Sequence, residues 1–163
     1  MAKYDLEMLL ADVKAVMTSN LNTKLAEIDA EKLALDPTDA ITLATVASGS
    51  YFFQTMDAEV ANCNPFILYG IEDIETIHSG PYGSKLVTIT VYLVLEEGGQ
   101  EANLSTRMLR YLRALEEIYE TDWQTVSNAI KIKKQSLVPF ELTRLNDSQP
   151  CRAVGIRLRA DLG

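Results

Sequence analysis

From Lys85 to Leu95 the chain alternates between two faces. Val87, Ile89, Val91, Leu93 and Leu95 fall on one, and Leu86, Thr88, Thr90, Tyr92 and Val94 on the other. The first face is wholly apolar and the second is mixed, which predicts a strand covered on one side and at least half covered on the other. Glu96-Glu97-Gly98-Gly99 breaks the pattern. Leu104, Met108, Leu112, Leu115 and Tyr119 then recur at helical spacing, with Arg107, Arg110, Arg113, Glu117 and Glu120 toward the wetter side. This strand, glycine turn and amphipathic helix form the unit around which the rest of the chain is arranged.

Upstream, residues 5–32 read as a long helix. Leu6, Leu9, Leu10, Val13, Val16, Met17, Leu21, Leu25 and Ile28 make its stripe, and Asp5 is placed to cap its start. Ser19, Asn20, Asn22 and Thr23 are poor helix formers and predict a kink or break near them. Asp36-Pro37-Thr38-Asp39 is a turn, and residues 36–64 read as a long connection or interaction arm. Within it Tyr51, Phe52 and Phe53 stand together, so on any regular element they point in different directions. They are either core packing under the connection or anchors of an interface.

Phe66 to Ile71 is an apolar run after Asn64-Pro65, and it turns acidic at Glu72, Asp73 and Glu75. Ile71 and Ile74 are out of phase for a flat strand, so a bulge is expected near Glu72–Asp73. The loop from His78 to Ser84, with two glycines, joins this strand to the one from Lys85 as an antiparallel hairpin. Trp123 is expected to roof the core beside the end of the second helix. Ile130, Ile132, Val138, Phe140 and Leu142 share a phase, interrupted by Pro139, and predict one bent edge strand or two short ones. Residues 152–160 form the last strand, with Val154, Ile156 and Leu158 inward and Arg157 and Arg159 outward. Lys131, Lys133, Lys134, Arg157 and Arg159 thus gather positive charge on the outer faces of the last two strands. They read either as protection of a sheet edge or as a patch that meets the acidic surface of an identical neighbour.

Composition changes this picture in a few places. One chain of 163 residues, 47% hydrophobic, suits a single α+β domain over 1–163 with one core. A formal charge of −8 repels phosphate, which argues against a dedicated nucleic-acid binder and suits a surface past which DNA slides without sticking. Cys63 and Cys151 have neither CxxC spacing nor a second pair, and read as reduced thiols, with a disulfide between them left open. No apolar run approaches a membrane span, nothing at the start resembles a signal peptide, and the mixed charges of the first helix do not suit a membrane surface, so a cytoplasmic protein is expected.

No residue set carries a recognisable chemistry. His78 with Glu72, Asp73 and Glu75 matches no metal-ligand spacing and reads as a solvated hairpin tip. Ser79 and Ser84 lie near His78, yet no GxSxG elbow is present. Gly80, Gly83, Gly98 and Gly99 form no phosphate loop, and the acids Glu96, Glu97 and Glu101 around the second pair oppose an anion. No catalytic residue, cofactor or metal is expected.

The order helix, loop, hairpin, helix, two strands predicts an α+β fold: an antiparallel sheet of about four strands with helices packed on one face, in the order α-β-β-α-β-β. PFILYGIED, KLVTITVYLVLEEGGQEANLSTRMLRYLRALEEIYE and VGIRLRA, taken in that order, resemble the tail-terminator and tail-completion (head-tail joining) proteins of tailed bacteriophages over roughly residues 1–160. The resemblance lies in the order of elements more than in residues. It implies a non-enzymatic virion protein, assembled in the host cytoplasm. Such proteins form a ring with themselves, commonly of six copies, that caps the tail tube, meets neck or connector proteins and lets DNA pass without specific binding. The alternatives are another head-tail adaptor, or a small-molecule-binding or catalytic α+β domain.

Overall fold

The computed structural model describes residues 5–53, 64–77, 84–96, 103–121, 132–146 and 149–162. Helix α1 spans Leu6–Leu35, strand β1 Tyr51–Phe53, β2 Phe66–Ile77, β3 Ser84–Glu96, helix α2 Leu104–Thr121, β4 Ile132–Asn146 and β5 Gln149–Leu162. The fold is α+β, with both helices against a sheet. The sheet differs from the expected four antiparallel strands: among the described residues it has five, in the order β1-β2-β3-β5-β4, and β1 runs parallel to β2. The aromatic triplet supplies the extra strand. All three of its residues belong to types favoured in strands, and Ser50 O accepts a hydrogen bond of 2.8 Å from Ile67 N that begins the pairing.

Helix α1 is continuous, so the expected break near residues 19–23 does not occur. Asp5 caps it as expected, its carboxylate accepting from Met8 N at 2.9 Å. The polar residues are absorbed without interrupting the backbone: Thr18 and Asn20 donate to the carbonyls of Lys14 and Val16, and Asn22 turns outward to another segment. Four modest helix formers cost about 2 kcal/mol together relative to alanine. Leu9, Val13, Met17, Leu21, Leu25 and Ile28 are all buried along one stripe, and each such side chain returns about 1.5–3 kcal/mol. Packing therefore outweighs propensity.

Residues Leu9 to Ile28 of α1 and Met108, Tyr111, Leu112, Leu115, Ile118 and Tyr119 of α2 join Val87, Ile89, Val91, Leu93, Val154, Ile156 and Leu158 in one core. The strand phases read from β3 and β5 hold. On the opposite sheet face a smaller cluster gathers Phe66, Val94, Cys151 and Ala153, with Phe52, Leu68 and Tyr92 around it. Cys151 is fully buried in this cluster. The β2–β3 hairpin pairs antiparallel, with the expected bulge between Ile71 and Asp73. Strand β4 is a single long edge strand with irregularities near Gln135, Pro139 and Leu145, which resolves the choice between one bent strand and two short ones. Cys63, His78, Trp123, Ile130 and Lys131 lie outside the described residues, as do Gly80, Gly83, Gly98 and Gly99.

Candidate assembly surface

The three adjacent aromatics divide their duties. Tyr51 is buried on the helix side of the sheet, and its burial pushes the phenol pKa up. Phe52 lies on the far side, edge-on to Phe66 with ring centroids 6.1 Å apart. Phe53 is 43% exposed beside Tyr69, at 5.9 Å. Of the triplet, Phe53 alone presents substantial apolar surface at the edge; Tyr51 is core.

The basic residues do not form the single outer patch read from the sequence. Arg157 and Arg159 do face away from the helices, but each reaches across β3 to an acid of β2: Arg157 Nε sits 2.8 Å from Glu72 and Arg159 3.4 Å from Glu75. Lys134 is on the helix side instead, opposite Leu158 in the ladder, and pairs with Glu116 of α2. Simple alternation from the inward Ile132 places Lys134 on that side, since the register stays regular through Lys134 and shifts only after it. Lys133 is exposed, faces outward opposite Arg159, and has no ion pair among the described residues. The outer face therefore grades from apolar at Phe66, Leu68 and Tyr92 to charged at Glu72, Asp73, Glu75, Arg157 and Arg159, with acids on β2 and bases on β5.

A second polar feature escaped the sequence. Residues 36–50 form a strap held across the two helices. Asn22 makes a two-way amide contact with Val46, accepting from its N–H and donating to its carbonyl at 2.9 Å each. Asp29 accepts from Leu43 N at 2.8 Å, and Tyr111 donates to Ala44 O at 3.0 Å. Arg110, expected on the wet side of α2, is buried and ion-pairs Asp39. That hydrogen bond, with another from Ile41 N, holds the Asp39 carboxyl below its usual range. Arg113 chelates Glu31 of α1 through two hydrogen bonds of 2.9 and 2.7 Å and also bonds Glu117, which lowers the Glu31 pKa and raises that of the guanidinium. The spacing of Ile41, Leu43 and Val46 in an otherwise small and polar stretch is the one sequence signal for this strap.

Beside the strap, Lys32, Thr106, Leu109, Arg110 and Arg113 line an open groove of about 310 Å³. Its cations are already committed to Glu31, Asp39 and Glu117. Among the described residues no group of three or more His, Cys, Asp or Glu could hold a metal ion, and no helix is long and apolar enough to cross a membrane. Neither a protein-family model nor a curated protein matches the sequence.

Proposed function

We propose that this chain is a structural virion protein of the tail-terminator kind, which closes the end of a phage tail tube as a ring of identical copies and joins tail to head. The observation that carries the reading is the build order: a long helix, the β2–β3 hairpin, helix α2 and the β4–β5 hairpin, with both helices on one core. Apart from the added strand β1, this is the order that the resemblance implies. The charge balance supports it as well, since an acidic chain leaves a bore that does not grip DNA. The groove on the helix layer favours a second reading, a small-molecule-binding domain. It ranks below the first because an anionic ligand there would have to displace carboxylates already paired with the lining cations.

The test is the mass in solution by light scattering after gel filtration, at low and high salt, followed by addition of cognate tail tubes. A ring-sized species that seats on tube ends is the expected result. A monomer at every concentration that ignores the tubes overturns the proposal.

A further inference from the structure

The sheet has two edges that match. On one side β1 covers β2 only at Ile67–Tyr69, so from Ile71 onward β2 is the outer strand among the described residues. On the other side β4 is the outer strand among the described residues. Following the ladder across the sheet, Ile74, Val87, Ala160 and Ile132 stand in one row, and Asp73, Thr88, Arg159 and Lys133 in the next. The two edges are thus level. They also run in opposite directions, because three successive antiparallel pairings separate β2 from β4.

We infer that the Ile71–Ile74 edge of β2 in one copy pairs antiparallel with the Ile132–Gln135 edge of β4 in the next copy, setting Asp73 beside Lys133. This rests on the ring reading above and deepens it. Pairing Asp73 with Lys133 places Ile74 level with Ile132, whose side chain is already buried in its own copy, so Ile74 would meet the backbone of that edge. Ile74 is 41% exposed on the helix side of this edge, and a neighbouring strand would cover it. Asp73 and Lys133 are both exposed, and neither has an ion-pair partner among the described residues, while Glu72, Glu75, Arg157 and Arg159 are matched within the chain. The complementary charges therefore remain for a second copy. A contact between two different edges of identical chains is heterologous. With the edges level it adds rotation without a rise, the condition for a closed ring rather than a filament. Strand β1 limits how far the neighbour can run along β2, which fixes the register.

Charge exchange tests the pairing in the full-length chain. Asp73→Lys and Lys133→Asp each put like charges together at every junction, and should raise the concentration needed for assembly at least about tenfold. The double variant in any ring, and the two single variants mixed equally and alternating in a ring of even copy number such as six, restore an acid facing a base at every junction and should assemble like the wild type. Because both side chains are exposed, thermal melting compared at concentrations too low for assembly should be unchanged. If the single variants assemble normally, or if the double variant fails to recover, the edge pairing is wrong while a ring through another surface survives. A wild-type chain that neither associates nor seats on cognate tubes overturns the ring reading and this one together. If assembly occurs only on tubes, the same four samples are compared by seating on tube ends, with the same pattern expected.

Discussion

Gly155 sets how closely two strands' side chains nest on the face away from the helices. It pairs with Tyr92, and a Cβ built on it would lie 2.5 Å from Tyr92 Cδ1 and 2.7 Å from the Val91 carbonyl oxygen. The ring could swing aside, but the carbonyl belongs to the ladder and cannot. Gly155→Ala should therefore destabilise the protein by about 1–3 kcal/mol through overpacking, read as a lower denaturant midpoint with an unchanged slope. An unchanged midpoint would mean that β3 and β5 separate here at little cost. The tyrosine returns something for this closeness: its ring lies over the backbone beside Leu68 and Phe66 and helps to cover the smaller cluster.

At the scale of elements, the strap is the part whose order depends on a few polar groups. Asn22→Ala removes both hydrogen bonds to Val46 while leaving the helix a better former. Local opening of residues 41–50 should then become easier, with amide exchange there faster by roughly one to two orders of magnitude, from about 1–3 kcal/mol of lost pairing, and exchange in the middle of β3 little changed. Uniform acceleration across the chain would show that the strap is part of the global unfolding unit. The same contact explains what was legible in the sequence. Period-two alternation in β3 and β5, the four-residue stripe of α1 and the bulge after Ile71 each follow from neighbours along the chain, and each was readable. The continuity of α1 was not, because Asn22 is a poor helix former whose partner lies 24 residues away. Nor was the burial of Arg110, whose counter-charge Asp39 comes 71 residues earlier; the inward side of Lys134 follows from alternation with Ile132, but its pairing with Glu116 of a different element does not. The assembly surface fared likewise: the outward phase of Arg157 and Arg159 was legible, but their pairing across β3 with Glu72 and Glu75 needed the strand order.

For the whole molecule, the charged groups define a window of pH within which the fold is held. The net charge of −8 falls as pH drops toward the pI of about 4.7, so general self-repulsion relaxes on mild acidification. The specific pairs act in the opposite sense. Asp39 and Glu31 have folded-state pKa values lowered chiefly by their hydrogen bonds to Arg110 and Arg113. Their stabilisation is complete above the ordinary carboxylate range, around pH 4, and is lost as pH falls through the lower folded values. On the alkaline side Tyr119, which donates to Val13 O at 3.2 Å inside the core, has its pKa raised well above the usual value by burial, with the charge of Tyr51 adding to the effect. The unfolded chain releases that proton near pH 10 while the folded chain keeps it, so stability declines as pH rises beyond that point. Denaturant midpoints measured against pH should give a plateau with two falling limbs. The gap between wild type and Asp39→Asn should begin to narrow below about pH 4 and close only once pH has fallen past the lowered folded value, where the wild-type carboxyl is protonated as well. The gap between wild type and Tyr119→Phe should close, then reverse, above about pH 10, because ionisation of the unfolded phenol favours unfolding of the wild type and the variant has no such proton to lose. Parallel curves for either variant would show that the limb is set by the summed charge of the chain and not by the named pair.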